Sequence, residues 1–155
     1  MKIRLNHWYS AILASLISLL GFESCDSTGT EEYGTPIVSY QVKGNVKGDT
    51  GSDLRGIQVT IKSRNYRETQ GRDTAYTDAN GNFEMKKLKT YGESYLKNEL
   101  VVTFEDVDGE ANGGTFEKDS LKGMQVTIVQ KKKGEHWYGG DFEVTADKKL
   151  TKKSK

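Results

Sequence analysis

Cysteine and proline are nearly absent from this chain, which has one of each among its 155 residues. A single cysteine, Cys25, can form no disulfide within the chain and no zinc–thiolate cluster. One proline alongside 17 glycines is more typical of strands and turns than of a helical bundle. These scarcities point to a β-rich fold that has no disulfide crosslinks.

Catalytic signatures are also missing. The sequence contains no G-x-S-x-G elbow, no P-loop and no dinucleotide-binding fingerprint. It has two histidines, His7 near the start and His136. His136 has no second histidine near it in sequence and cannot build a zinc site without help from carboxylates. We therefore predict no enzymatic activity, no catalytic residues, no cofactor and no confident metal site.

Long hydrophobic runs are absent after Cys25, and the one near the start is short. Lys2 and Arg4 precede an apolar segment from Trp8 to Phe22, which is too short to be a stable anchor across a core of about 30 Å. Residues 1–24 are therefore predicted to be a lipoprotein signal peptide, helical where it is ordered. An amphipathic helix of the folded domain is the alternative.

Cys25 is predicted to be the site of lipidation. Ordinary signal cleavage before Cys25 needs small residues at positions 22 and 24, and Phe22 is not small. The segment resembles a bacterial lipoprotein signal, although Glu23 departs from that pattern. The resemblance implies several acyl chains such as palmitate on Cys25, enough for stable anchoring. We expect an outer-membrane lipoprotein of the cell envelope, facing the periplasm or the surface; a free or intermolecularly paired thiol is the alternative.

The charge balance argues against a nucleic-acid partner. Removal of residues 1–24 takes away Lys2, Arg4 and Glu23, which leaves 21 of the 23 basic and 21 of the 22 acidic residues. A mature chain with no net charge has no basic footprint for nucleic acid. The expected partners are the lipid bilayer, through acylated Cys25, and an envelope protein or glycan.

The chain beyond the signal divides into three segments. Residues 25–37 are polar and are predicted to form a flexible tether. Residues 38–150 alternate between apolar and polar positions, which is typical of half-buried strands, and residues 151–155 form a basic C-terminal tail. Seven strands are predicted: Tyr40 to Val46, Ile57 to Ile61, Thr74 to Thr77, Asn82 to Met85, Leu100 to Phe104, Met124 to Ile128 and Phe142 to Ala146.

Seven short antiparallel strands in about 110 residues predict an all-β fold, a β-sandwich of transthyretin-like or immunoglobulin-like type. One eight-residue sequence occurs twice, with small changes, among the predicted strands; we call this pair the sequence echo. LRGIQVTI (Leu54 to Ile61) and LKGMQVTI (Leu121 to Ile128) share six of eight residues. We favour two strands that meet the same packing demands, and a duplicated half-domain is the alternative.

Three motifs resemble the carboxypeptidase regulatory-like, transthyretin-like domain. They are GNV (Gly44 to Val46), LRGIQVTI and TDANGNFEM (Thr77 to Met85). In the second, Gly56 allows a sharp entry into the second strand. In the third, Asp78 can accept backbone hydrogen bonds within the turn, Gly81 can take the left-handed conformation and Phe83 can enter the core. The resemblance covers about the first half of the domain.

The whole chain resembles the radical SAM-associated putative lipoproteins of Bacteroidetes. The segments that carry this resemblance are LLGFESC, EEYGTP, FEDVDGEANGGTF (Phe104 to Phe116) and WYGGDFEV (Trp137 to Val144). The long insert Arg64 to Arg72 is where the general domain pattern is loosest. The resemblance implies a surface or periplasmic lipoprotein and, as a possible partner, a radical SAM maturase.

Two stretches are candidate binding sites. Asp106, Asp108 and Glu110 supply alternating carboxylates that could form a weak calcium loop, although the EF-hand spacing is not met and a solvated hairpin loop is favoured. Trp137 and Tyr138 beside two glycines form a possible ligand edge; a tryptophan that caps the core is favoured. The lysine runs 131–133 and 148–155 are expected to be a turn and a frayed end. Contact of these lysines with anionic lipid head groups or surface polysaccharide is the weaker alternative.

The sequence thus predicts a lipid-anchored binding or structural module of the cell envelope without catalytic activity. The alternative is a substrate or client of the associated radical SAM enzyme. If Cys25 carries lipid, no thiol remains for a thioether crosslink, so that the enzyme would have to modify a tyrosine, tryptophan, lysine or aspartate at carbon.

Overall fold

A computed structural model describes residues 34–62 and 72–154, together with Ser15. The predicted signal peptide, Cys25, the tether as far as residue 33 and nearly all of the insert Arg64 to Arg72 lie outside the described residues. Residues from Gly34 to the C-terminus form one compact unit, which is separate from Met1–Tyr33. Within the described ranges, no helix has the length and apolar character that a membrane crossing requires.

The described residues form ten strands and one short helix. The strands are β1 (Ile37–Gly48), β2 (Ile57–Lys62), β3 (Arg72–Tyr76), β4 (Asn82–Glu84), β5 (Leu88–Tyr91), β6 (Val101–Asp106), β7 (Asp119–Lys122), β8 (Thr127–Lys133), β9 (Tyr138–Thr145) and β10 (Lys148–Leu150). Helix α1 (Glu93–Asn98) lies between β5 and β6, and 3-10 turns occupy Ala111–Gly113 and Gly123–Gln125.

The first sheet has six strands and is organised by β1. On one side β1 pairs in parallel with β9 and then with β10, and it also pairs antiparallel with β5 and β4. Strand β8 pairs antiparallel with β9 at the sheet edge. Because β1 is twelve residues long, it can serve four neighbours in succession.

The second sheet has four strands in the order β3-β2-β6-β7, all antiparallel. The alternating pattern of β2 buries Ile57, Val59 and Ile61, and that of β6 buries Val102 and Phe104. These side chains face Val38, Tyr40, Val42, Phe142 and Val144 of the first sheet in one continuous core. The domain is therefore an all-β sandwich, as the sequence predicts.

The number and direction of the strands differ from the prediction. The described residues contain ten strands rather than seven, and β1 runs parallel to β9 and β10. Strands β5 and β10 are four and three residues long and contain lysines, so that their periodicity is too brief to recognise. The direction of pairing is set by contacts distant in sequence, which explains why antiparallel order was the wrong expectation.

The turn after β3 has the structure that its sequence predicts. Asp78 Oδ1 accepts hydrogen bonds from Asn80 N at 2.8 Å and from Asn82 N at 2.9 Å. Gly81 has φ of +71° and Gly56 has φ of +81°, the left-handed region that favours glycine. Phe83 is buried and meets Phe104 edge-on, with ring centroids 5.9 Å apart.

The sequence echo is not a structural repeat. In LRGIQVTI, the last five residues lie in β2, where apolar side chains alternate into the core. In LKGMQVTI, Met124 belongs to a 3-10 turn and is 89% exposed, and the edge strand β8 begins only at Thr127. The prediction of Met124 on an inner strand face was wrong, because a turn precedes the strand there.

The chain after Leu150 remains hydrogen-bonded to the domain. Glu117 N donates to Thr151 O at 2.8 Å, and Lys153 N donates to Thr115 O at 2.9 Å. Leu150 itself is 1% exposed in the core. The described part of the predicted basic tail is therefore attached at residues 115–117 rather than frayed.

Two buried threonines differ in their hydrogen bonding. Thr77 Oγ1 donates to Leu54 O at 2.6 Å and accepts from Ile57 N at 3.0 Å, which ties the turn to the start of β2. Thr90 Oγ1 is fully buried and has no hydrogen-bond partner among the described residues. A buried hydroxyl that is not hydrogen-bonded lowers stability.

Replacement of each threonine with valine should therefore change stability in opposite directions. Thr77→Val should lower the free energy of unfolding by about 1–3 kcal/mol, because it removes two buried hydrogen bonds. Thr90→Val should raise it by about 1 kcal/mol, because it removes an unsatisfied hydroxyl at nearly constant shape. Urea unfolding of the two variants tests this, and destabilisation by both to the same extent would contradict the assignment.

Candidate functional site

Two clefts lie at opposite ends of the six-stranded sheet. The first, here called the aromatic cleft, has a volume of about 430 Å³ and is lined by Gly34, Thr35, Ile37, Tyr91 and Trp137. The second, here called the polar cleft, has a volume of about 470 Å³. Its walls consist of Lys43, Gly44, Asn45, Tyr76, Asp78, Asn82, Phe83, Glu84, Thr145 and Asp147.

The aromatic cleft forms where β1, β5 and β9 meet. Ile37 pairs with Tyr91 on one side and with Tyr138 on the other. Ile37 N donates to Trp137 O at 2.9 Å. The indole lies so close to Gly34 that an added Cβ there would be 2.8 Å from Trp137 Cζ3. Glycine at position 34 thus allows the close approach of the indole, which a side chain there would prevent.

Trp137 is 45% exposed, and so is Tyr91. The structure therefore places Trp137 on the surface of the domain, and not as a cap on the core. Tyr91 is a second aromatic residue of this cleft that the sequence analysis missed. Its position at the end of a four-residue strand gave no periodic signal.

Tyr138 makes different contacts from those of its neighbour Trp137. Its hydroxyl donates to Asp141 Oδ1 at 2.5 Å, and Lys87 forms an ion pair with the same carboxylate oxygen. Burial, together with the hydrogen bond to Asp141, raises the pKa of Tyr138. The Lys87 ammonium and the Tyr138 hydroxyl lower the pKa of Asp141. Tyr138 thus serves to fix β9 to the lysine before β5, and it does not line the aromatic cleft.

Tyr76 forms an exposed aromatic wall of the polar cleft. It ends β3, is 57% exposed and is held in place by Gln58 Nε2, which donates to its hydroxyl at 2.9 Å. Gln58 is also its cross-strand partner on β2. An aromatic ring in this position offers a fixed apolar face to solvent.

Most of the other polar side chains of this cleft are amides and carboxylates that accept or donate hydrogen bonds, and Lys43 lies among them and forms an ion pair with Glu143 at 2.9 Å. Asn45 Nδ2 donates to Asn80 O at 2.8 Å and to Asn82 Oδ1 at 3.0 Å. The backbone N–H of Asn45 donates to Asp147 Oδ1 at 2.9 Å. Glu84 Oε1 accepts from Gln41 Nε2 at 2.8 Å. Side chains from β1, β4 and the β9–β10 connection therefore form one ordered polar surface.

No single stretch of sequence predicts this surface, since its residues lie between positions 43 and 147. Among these residues, a sign of exposure was present in the sequence at Tyr76. Tyr76 is the next-to-last residue of the predicted strand Thr74 to Thr77, at a position where alternation with the buried Thr77 turns its ring outward. The sequence analysis did not use that signal.

The acidic loop is folded through its own carboxylates. Asp106 Oδ1 accepts from Asp108 N at 3.2 Å, and Asp106 Oδ2 accepts from Phe116 N at 2.8 Å. Asp108 Oδ2 accepts from Asn112 Nδ2. Within residues 34–62 and 72–154, no three side chains of His, Cys, Asp or Glu come together in a way that could hold a metal ion. The structure therefore does not bring Asp106, Asp108 and Glu110 together as a calcium site.

Comparison with known proteins gives only remote structural matches. No protein-family model matches the sequence, and no curated protein does. Three similar solved structures are the dioxygenase domain of a dioxygenase carbohydrate-binding protein fusion from Streptomyces sp. SirexAA-E, 3-chlorocatechol 1,2-dioxygenase from Rhodococcus opacus 1CP and catechol 1,2-dioxygenase from Pseudomonas arvilla C-1. The resemblance to radical SAM-associated lipoproteins stays a prediction.

The identities of these three matches are 17%, 14% and 13%, and the TM-scores are 0.48, 0.47 and 0.45. The matches cover 81%, 80% and 84% of this chain, and 85%, 62% and 55% of the respective neighbours. At these values, the likeness assigns no substrate and no reaction to this chain.

The neighbours nevertheless require one correction. The sequence predicts a lipid-anchored binding or structural module without catalytic activity, or else a client of a radical SAM enzyme. That expected function is not borne out by the comparisons, whose similar structures are dioxygenases or dioxygenase domains.

The ion pair of Asp141 should make stability depend on pH. Because Lys87 and Tyr138 lower the pKa of the folded carboxyl below its unfolded value near 3.9, its stabilising effect is fully present above that value. It is lost as the pH falls through the lower, folded pKa. Asp141→Asn should thus reduce the free energy of unfolding at pH 7, and its difference from the unaltered protein should shrink towards pH 2.

Urea unfolding at pH 7 and at low pH measures this difference. Asp53→Asn is a suitable control, because its pair with Lys47 spans 3.6 Å with both side chains about half exposed. Such surface pairs contribute little to stability. A difference for Asp141→Asn that stays constant at all pH values would contradict the role given to this carboxylate.

Proposed function

We propose that the domain binds a carbohydrate in the polar cleft. The observation that carries this proposal is the ring of Tyr76, 57% exposed at the edge of a surface of amides and carboxylates. Sugars have an apolar face of C–H groups and a rim of hydroxyls. An aromatic ring next to planar hydrogen-bonding groups is complementary to both.

The polar groups suit hydroxyl recognition in particular. Carboxylates and carboxamide oxygens accept from sugar hydroxyls, and a carboxamide also donates. The cleft offers Asp78, Asp147 and Glu84 as acceptors, and Asn82 as both donor and acceptor. The hydrogen bonds described above use one oxygen of each of these carboxylates.

The site is also ordered before any ligand arrives. Gln58 holds the hydroxyl of Tyr76, and the Asp78 turn fixes the backbone at Asn82. A ligand then loses less of its binding energy to ordering of the protein. The cleft is open rather than enclosed, which favours a chain of sugars over a small molecule that must be buried on most sides.

An envelope polysaccharide is the partner that agrees with the predicted location of the chain. Isothermal titration of the full chain with neutral oligosaccharides and with purified envelope polysaccharide tests the proposal. Tyr76→Ala should weaken binding by about tenfold or more, because it removes the stacking ring, a contact worth about 1 kcal/mol or more. Tyr76→Phe should retain most of the affinity, since it keeps the ring.

Tyr91→Ala is the matched control, because Tyr91 is an exposed tyrosine at the other end of the sheet. Its affinity should equal that of the unaltered chain. Equal affinity of Tyr76→Ala and the unaltered chain would contradict the proposal. Loss of binding in Tyr91→Ala alone would move the sugar site to the aromatic cleft.

A further inference from the structure

The aromatic cleft stands where the chain enters the domain. Residues 1–33 join the compact unit at Gly34, and Gly34 lies against the ring of Trp137. Gly92 N, directly after Tyr91, donates to Pro36 O at 2.8 Å. Both exposed rings are thereby attached to the first four residues of the domain.

Trp137 and Tyr91 have the character of interfacial residues. Each is 45% exposed, and between them lies the partly buried Ile37. Tryptophan and tyrosine combine an apolar ring with a polar group, and they are enriched where a membrane meets water. Two such rings on one end of a β domain form an apolar patch with polar edges.

Exposed lysines surround this patch. Lys132 and Lys133 of β8 are opposite Asp141 and Gly140, and Lys89 of β5 is opposite Ser39. In register these positions lie within a few residues of Trp137 and Tyr91, and all three lysines are exposed. Lys131 is exposed as well and lies 3.7 Å from Glu143.

The acidic residues nearby leave this end basic. Glu93 forms an ion pair with Lys97 at 2.6 Å. Glu135, in the turn between β8 and β9, is the other acid beside Trp137 and is exposed. Asp141 is paired with Lys87, and Glu143 with Lys43 and Lys131. Lys89, Lys132 and Lys133 therefore stand against Glu135, an excess of basic charge that attracts anionic head groups.

We propose that this end of the domain rests on an anionic lipid surface, with Trp137 and Tyr91 among the head groups and the lysines against phosphates. The inference rests on the predicted lipid anchor at Cys25. Nine residue steps lead from Cys25 to Gly34, so that an extended tether reaches at most about 30 Å. The end that carries Gly34 is the part of the domain that such an anchor brings to the bilayer first.

Tryptophan fluorescence reports this contact directly. The chain has two tryptophans. Trp8 lies in residues 1–24, which the predicted lipidated chain has lost, and Trp8→Phe removes it from any unprocessed chain, so that Trp137 is the only one. The lipidated chain is reconstituted into vesicles of phosphatidylcholine and phosphatidylglycerol, with and without bromine on the upper acyl chain. Bromolipid should quench the emission of Trp137 by about half, since a ring at the head-group level lies within contact range.

A matched probe belongs at the far end of the domain. Val107 is 50% exposed and follows Asp106, which pairs with Ile57. That end is where Leu54 N donates to Val46 O, some nine residues along β1 from Ile37. In the chain with Trp8→Phe, Trp137→Phe and Val107→Trp, bromolipid should leave the emission unchanged.

Two changes in charge test the contribution of the lysines to membrane contact. Replacement of Lys131, Lys132 and Lys133 with glutamine should reduce quenching in vesicles with phosphatidylglycerol. In the chain that keeps these lysines, 0.5 M salt should also reduce quenching, because it screens their attraction to the head groups. Equal quenching in phosphatidylcholine alone would overturn the anionic part of the proposal. Emission of Trp137 that bromolipid does not change, in a chain that sediments with the vesicles, would overturn all of it, and so would a chain that does not sediment. Failure of sugar binding by Tyr76 would leave these results unaffected.

Discussion

The pairing of β1 with four other strands is the constraint on which the rest of the structure depends. Its first half lies between β9 and β5, and its second half meets β4 and β10. Val38, Tyr40, Val42 and Val46 along its inner face are at most 2% exposed. Because this strand pairs with four of the five other strands of the first sheet, its register is fixed on both sides, and a slip of one residue would turn its buried side chains towards solvent.

The length of β1 also separates the two clefts. The aromatic cleft forms at Ile37, and the polar cleft forms at Lys43 to Asn45. At about 3.3 Å per residue, these positions lie some 20–25 Å apart along the strand. The aromatic cleft is lined mainly by apolar and aromatic residues, and the polar cleft by acids, amides and Lys43. A domain built in this way can contact two different partners at once.

Local patterns in the sequence predict local structure well. The turn from Asp78 to Gly81 and the burial of Phe83 follow from residues within six positions of one another. The strand Ile57–Lys62 follows from strict alternation. Met124 shows where such a pattern fails, because alternation in LKGMQVTI continues through a turn and into an edge strand that buries little.

The clefts required information that one sequence does not carry. Trp137 stands out by its type beside two glycines, but its partner Tyr91 is 46 positions away and meets it only through β1. Tyr76, Asn45 and Asp147 meet because β3, β4 and β1 surround the same end of the sheet. Parallel pairing of β1 with β9, which brings Asp147 to this end, follows from no local signal.

A designed disulfide tests that parallel pairing most directly. Gln41 and Glu143 are Cα partners in the parallel pair, and cysteines at paired positions have the spacing that a disulfide needs. In the full chain with Cys25→Ser, the variant with Gln41→Cys and Glu143→Cys should form the disulfide readily on oxidation, and the pair at positions 41 and 145 should not. Preferred crosslinking of 41 with 145, or of neither pair, would contradict the arrangement of β1 and β9 described above.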